Sequence, residues 1–171
     1  MNADDLAAAV LAICESRGVK IACAESLTGG LLADAFVRVP GASRVFLGSA
    51  VTYDINAKAS ILGVDKALLD REGAVHPEVA RQMAVATARL YDQPDYAGHV
   101  IGLSTTGVAG PGPDGDKPAG LVYVGFRIPR DVAADRGEHV EAMELRLSGT
   151  REGIRHATVL HMLERLRAWL G

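Results

Sequence analysis

Ala24-Glu25-Ser26-Leu27-Thr28-Gly29-Gly30 stands where a short apolar run gives way to helical spacing, and its reading decides the fold. Upstream, Lys20 to Ala24 reads as a buried strand. Downstream, Leu31, Leu32, Ala35 and Phe36 share one face of a helix expected from Leu27 onward. Ser26 therefore stands at a strand-to-helix junction, held by regular structure on both sides. The first N–H groups of such a helix have no internal partner, and with the positive end of the helix dipole they suit an anion or a developing oxyanion. Gly29 and Gly30 let a ligand or neighbouring backbone come close. Two readings stay open: Ser26 is an ordinary N-cap beside a packing contact, the default for a serine here, or it presents its hydroxyl to a ligand.

Working outward, Leu6, Val10, Ile13 and Cys14 share a helical face between Asn2 and Arg17, with Asp4 and Asp5 near the start and Gly18 as the stop. The second helix ends near Pro40-Gly41. Val45 to Tyr53, VFLGSAVTY, is β-branched, aromatic and apolar and predicts a second strand. Asp54 opens a short helix that stops near Gly63, Asp65 caps another through Arg71, and Pro77 begins a long helix to about Tyr91. His99 to Thr105 predicts a third strand, followed by a Gly/Pro-rich loop from Gly107 to Gly120. Leu121 to Ile128 and Val140 to Leu147 predict two neighbouring strands joined by polar Pro129 to Glu138, and Ser148 caps a final helix to about Trp169.

Strands and helices interleave at first, then two strands come consecutively. This pattern predicts an α/β fold, a three-layer α/β/α domain with a mixed β-sheet, spanning residues 1–171 as a single domain. Ligand sites in such sheets gather where strands hand over to helices and loops. Four junctions qualify: Glu25 to Gly30, Tyr53 to Lys58, Thr105 to Gly112, and Ser148 to Arg151.

Composition narrows the function. A net charge of -3 without a Lys/Arg run argues against nucleic acid as a partner. No apolar run approaches the roughly 20 residues that cross a bilayer, and the start lacks a signal-peptide pattern, so a cytoplasmic protein with no membrane partner is expected. Cys14 and Cys23 lack CxxC or Cys/His neighbours and read as reduced core thiols. His76, His99, His139, His156 and His161 show no ligand spacing, so neither a metal nor another cofactor is expected. A homodimer is the expectation for a domain of this size and apolar content.

The chemistry concentrates on a few side chains. The Gly107 to Gly120 loop has the look of a phosphate cradle, yet it lacks a GK[ST] ending and its prolines remove donors, so a long turn is an equal reading. Thr105 and Thr106 end a strand and offer hydroxyls there. Arg151 falls in the first turn of the last helix, against the dipole, where it either faces solvent or helps hold an anion such as a phosphate. Lys58 alone reads as a surface lysine. Beside Ser26 it gains another reading, because there is no Ser/His/Asp set and no GxSxG elbow, and a partly buried lysine of lowered pKa can serve a serine as base. Tyr53 can relay a proton, hold that lysine, or be an ordinary strand-end aromatic.

Seven blocks in order carry a resemblance: AESLTGG (24–30), PGAS with a strand ending in VTY (40–53), NAK with LGV (56–64), GAV with PEVA (73–80), TTGVAGP (105–111), KPAGLVYVG (117–125) and SGTR (148–151). They closely resemble the CinA C-terminal domain family, whose studied members are nicotinamide-nucleotide amidohydrolases, or NMN deamidases. The large N-terminal domain of full-length CinA proteins is missing from this sequence, so the resemblance implies the stand-alone form. It also implies metal-free hydrolysis of nicotinamide mononucleotide to nicotinic acid mononucleotide and ammonia. By position, Ser26 matches the nucleophile, Lys58 the lysine beside it, Tyr53 the motif tyrosine and Thr106 the hydroxyl before the glycine of TGxAGP. Arg151 matches the arginine of SGDR, a phosphate or ribose contact, and Glu25, Thr28, Gly29, Gly30, Thr105, Gly107 and Gly110 fall in the substrate-binding blocks. In the implied scheme Lys58 takes the Ser26 proton, while backbone donors after Ser26 and the Thr106 hydroxyl stabilise the oxyanion.

Three positions depart from the family pattern, Ile55 standing for a polar residue, His76 for Ser and Thr150 for Asp, and the Gly/Pro loop is shorter than the family's by about one residue. His76 is either a replacement contact or simply a polar residue before Pro77. Two other functions stay open beside the deamidase, a non-catalytic nucleotide-binding module and an amidase for another small amide.

Overall fold

The computed structural model describes residues 1–132 and 137–171. Residues 133–136, inside the polar connection expected between the last two strands, lie outside the described residues. The first helix, α1 (Ala3–Ser16), starts on an Asn2/Asp5 capping box and leads into β1 (Lys20–Glu25). There follow α2 (Leu31–Val37), β2 (Phe46–Val51), α3 (Ile55–Ser60), α4 (Lys66–Glu72) and α5 (Pro77–Leu90). The chain closes with β3 (Val100–Gly107), β4 (Leu121–Ile128), β5 (His139–Arg146) and α6 (Arg151–Leu170).

The five strands form one mixed sheet in the order β2-β1-β3-β4-β5. Strand β1 runs parallel to both β2 and β3, whereas β4 runs antiparallel to β3 and β5. Alternation along the strands assigns the two faces. Ile21 and Cys23 of β1, Ile101 and Leu103 of β3 and four residues of β4 join α1, α2 and α6 in the main core, whereas Ala22 and Ala24 join the smaller clusters beneath α4 and α5. The result is the expected three layers.

Small residues let α5 lie unusually close to the sheet. A Cβ on Gly102 would stand 1.9 Å from the Ala84 carbonyl oxygen, and one on Gly125 would stand 2.3 Å from that of Ala80. Hydroxyls stitch the same contact: Ser104 donates to the Ala80 carbonyl and Thr87 to the Cys23 carbonyl. This docking fixes the Gly73 to His76 segment, which enters α5, against the end of β3.

Three boundaries differ from the spacing. The second helix begins at Leu31, not Leu27, because Gly29 and Gly30 take left-handed φ values of 52° and 102° that end any helix. The last helix is capped by Thr150, not Ser148, with the Thr150 hydroxyl accepting from the Gly153 N–H. Strand β3 continues through Thr106 to Gly107, paired with β4. Among the described residues no helix is long and apolar enough to cross a membrane.

Candidate active site

Strand register brings Glu25 opposite Val51 on one side and Thr105 on the other, so the parallel strands end together and open one junction. Glu25 is fully buried. Its two carboxyl oxygens accept from the N–H groups of Gly30, Leu32 and Ala33 and from the hydroxyls of Thr28 and Ser49. The start of α2, expected to await an outside anion, is thus occupied by the chain's own carboxyl group. A buried carboxyl needs such donors, and the helix N-terminus supplies them.

Ser26 does not cap a helix. Its N–H donates to the Thr105 carbonyl at 3.0 Å, which carries β1–β3 pairing one residue beyond the strand, and its hydroxyl is left for Lys58. Behind it the Thr28 hydroxyl donates to Glu25 at 2.7 Å and contacts the Thr105 hydroxyl at 2.8 Å. Glu25, Thr28 and Thr105 therefore form a buried brace for Ser26 rather than a surface facing a ligand.

Lys58 is held by α3, which Asp54 starts by accepting from the Asn56 and Ala57 N–H groups. The lysine is 0% exposed, one of the largest fully buried side chains in the protein. Its Nζ contacts the Ser26 Oγ at 3.0 Å, the Thr52 carbonyl at 2.6 Å and the Tyr53 carbonyl at 3.3 Å. Burial lowers its pKa from the ordinary 10.5 to about 8, against the opposing pull of Asp54. The three partners suit both protonation states. A neutral amine has two hydrogens for the two carbonyls and one lone pair for the serine proton; the ammonium has three hydrogens for all three oxygens.

Ser26 opens on a cleft of about 320 Å³ lined also by Leu27, Tyr53, Ala74, Thr106, the 107–114 loop and Arg151. Tyr53 reaches the lysine through its main-chain carbonyl, not its phenol. The residue is 61% exposed, and its hydroxyl accepts from Arg151 at 3.1 Å. The other arm of Arg151 donates to the Gly110 carbonyl, so one guanidinium ties the β2–α3 turn to the Gly/Pro loop across the cleft mouth. Thr106 is buried and donates its hydroxyl proton to the Ala74 carbonyl at 2.7 Å. That proton is committed to the entry of α5. Gly107 lines the cleft floor, and a Cβ there would stand 2.8 Å from the Leu121 carbonyl oxygen.

A profile of the CinA C-terminal domain matches residues 3–170. This chain belongs to the CinA C-terminal domain family. Among its relatives, a protein of Caldanaerobacter subterraneus subsp. tengcongensis named as competence-damage inducible is 45% identical over 162 residues, which are 94% of this chain and 36% of that protein. A CinA-like protein of Frankia casuarinae is 41% identical over 168 residues, 98% of this chain and 35% of that protein. The chain thus spans about a third of the length of these relatives. A crystal structure of competence/damage inducible protein CihA from Agrobacterium tumefaciens superposes with a TM-score of 0.87 at 33% identity, covering 100% of this chain and 97% of that one.

Of the residues that depart from the CinA pattern, two are helix caps. His76 caps α5, its Nδ1 accepting from the Glu78 N–H at 3.1 Å, and Thr150 caps α6. Ile55 is the first residue of α3, directly after its cap. Residues the sequence reading passed over also matter. Thr52 supplies a carbonyl to Lys58, Ser49 a hydroxyl to Glu25, and Arg155 of α6 donates to the carbonyls of Leu27 and Thr28. Arg155 lies one helical turn from Arg151, and that spacing was the signal available for it.

Proposed function

We propose that this CinA-family chain hydrolyses the carboxamide of a pyridine nucleotide, nicotinamide mononucleotide, to nicotinic acid mononucleotide and ammonia. The observation that carries the reading is the 3.0 Å contact between a fully buried Lys58 Nζ and the Ser26 Oγ at the cleft floor. A buried lysine lowered to about 8 is neutral in a usable fraction at physiological pH. In this reading Lys58 takes the Ser26 proton as Oγ bonds to the amide carbon, and the carbonyl electrons move onto oxygen. Collapse of that adduct expels ammonia, which leaves with the proton from Lys58. Water then cleaves the acyl-serine by the same route, with Lys58 again as base.

The donor for the transient oxyanion is the N–H directly after Ser26, that of Leu27. N–H groups further along the loop are bound to Glu25, and the Thr106 proton is bound to Ala74. Arg151, at the cleft mouth with its fork half turned toward Tyr53, suits the phosphate of a mononucleotide. A pyridine-nucleotide substrate and two unpaired thiols also fit a cytoplasmic protein. The homodimer expected from composition belongs to the same reading and is checked by light scattering.

The test is ammonia release from nicotinamide mononucleotide by the purified protein, with Ser26→Ala beside it. Release by the wild type that vanishes in the variant is expected. Binding without release by either protein would replace the enzyme with a nucleotide-binding module, and release from a different amide alone would change the substrate.

A further inference from the structure

Helix α6 delivers two guanidinium groups to the two loops that bound Ser26. Arg151 reaches the Gly/Pro loop, and Arg155, four residues on, reaches the loop that follows the serine. Its Nε donates to the Leu27 carbonyl at 2.8 Å and its Nη2 to the Thr28 carbonyl at 2.9 Å. One rigid fork therefore holds two successive peptide units.

Peptide planarity turns that grip into an orientation. In a trans peptide the N–H points opposite to the carbonyl of the same unit. Fixing the Leu27 and Thr28 carbonyls on Arg155 therefore fixes the directions of the Thr28 and Gly29 N–H groups. The Ser26 carbonyl accepts from the Gly29 N–H at 3.1 Å, which in turn fixes the Leu27 N–H. Every other N–H from Gly29 to Ala33 is used: Gly29 on Ser26, Leu31 on Thr28, and Gly30, Leu32 and Ala33 on Glu25. The N–H groups of Leu27 and Thr28 have no acceptor among the described residues; Leu27 lines the cleft beside Ser26, whereas Thr28 is fully buried, which leaves the Leu27 N–H as the free donor there.

We propose that Arg155 is a positioning residue for acyl transfer: by holding the Thr28 carbonyl it sets the Gly29 N–H that grips the Ser26 carbonyl, and so aims the free Leu27 N–H at the oxygen that becomes negative when Ser26 attacks. The inference rests on Ser26 being the nucleophile. A cation on the carbonyl oxygens also polarises both peptide units, which strengthens the Gly29 N–H that holds the Ser26 carbonyl. Glu25 acts on the same loop from the other polarity, anchoring its N–H groups as Arg155 anchors its carbonyls. Between them the loop is set before any substrate arrives.

A fluorophosphonate tests this whatever the natural amide is. Attack forms an Oγ–P bond, expels fluoride and leaves the serine proton on Lys58, while the phosphoryl oxygen takes up negative charge as an amide oxygen would. Labelling rates are read by intact mass for wild type, Ser26→Ala, Arg155→Lys and Arg155→Ala, the last also with millimolar guanidinium, and each unfolding midpoint is measured alongside. Wild type labels and Ser26→Ala does not. Arg155→Ala labels about 10- to 100-fold more slowly, the range set by lost oxyanion donors and small misplacements. Arg155→Lys falls between, and guanidinium restores part of the Arg155→Ala rate without moving its midpoint. If Arg155→Ala does not fold, Arg155→Lys decides, since a lysine offers a single nitrogen where Arg155 uses two separate ones, Nε and Nη2, for the two carbonyls. Labelling of these variants at the wild-type rate overturns the proposal, as does a loss that follows the midpoint and ignores guanidinium. A wild type that does not label overturns the assignment of Ser26 itself, and this inference with it.

Discussion

Replacing Lys58 by methionine tests the centre of the site through stability as well as rate. Methionine fills much the same volume without the amine, so the side chain stays buried where the lysine is 0% exposed. In the wild type, folding lowers the lysine pKa from 10.5 to about 8. Below pH 8 both folded and unfolded chains carry the proton, and the fold bears the full cost of a buried charge, about 3 kcal/mol at 1.36 kcal/mol per unit. As pH rises through 8 the folded chain sheds the proton while the unfolded chain keeps it until about 10.5, so the cost is relieved and stability rises. Integrating both curves, wild type gains about 2.5 kcal/mol relative to Lys58→Met between about pH 6 and about pH 10. The comparison within a pair cancels the titration of other groups. Urea unfolding of both proteins at the two pH values measures it, with slopes compared to confirm that both unfold alike. A stability difference that does not change with pH would refute the claim that burial lowers this lysine. The same variant should lose at least about 100-fold in kcat, the low end for a general base. Wild-type kcat/KM should climb with pH and level off above about 8.

Glu25→Gln keeps the shape of the buried carboxyl but turns one acceptor into a donor. Whichever oxygen is replaced, at least two of the five donors lose their acceptor, and a loss of about 3 kcal/mol is expected, read as a fall of about 6–12 °C in Tm. An unchanged Tm would show that the brace does not support the fold. Arg151→Ala should raise KM about tenfold or more for nicotinamide mononucleotide and little for the nucleoside without phosphate. Equal effects on both would exclude a phosphate contact and leave Arg151 as a tie between Gly110 and Tyr53.

The layers and the ends of most elements were legible because local chemistry states them directly. Asn2, Asp54, Asp65 and Pro77 mark helix starts by mechanisms that need no tertiary partner, and the structure uses each of them there. Pairing Ser26 with Lys58 was also within reach, since a serine at a strand end without a histidine needs another base. What the sequence could not disclose was competition among partners. Ser26 looked like a cap because a helix seemed to start beside it; the positive φ of Gly29 and Gly30 moves that start to Leu31 and leaves Glu25 to meet its N–H groups. Tyr53 and Thr106 stand at the cleft as expected, yet their useful atoms differ from those the motifs suggest. Tyr53 serves the lysine through a carbonyl, and the Thr106 proton goes to Ala74, because both depend on contacts more than twenty residues distant or on main-chain atoms that carry no residue signature.

The departures from the CinA pattern lose much of their weight once they are placed in the fold. A serine at position 76 and an aspartate at position 150 would do what His76 and Thr150 do, accept one N–H at the start of a helix. Good capping residues differ by only a few tenths of a kcal/mol, and the aspartate adds a small favourable term with the helix dipole. His76→Ser and Thr150→Asp should therefore leave Tm within about 2 °C and leave kcat and KM unchanged within about twofold. Thr150 directly precedes Arg151, so an added charge there has one sensitive outcome. If Thr150→Asp weakened a phosphorylated substrate several-fold while the nucleoside was untouched, the carboxylate would be acting on the bound phosphate, and position 150 would be part of the substrate site. If neither variant moves either constant, substrate choice rests with the other residues that line the cleft, Arg151, Tyr53 and the 107–114 loop.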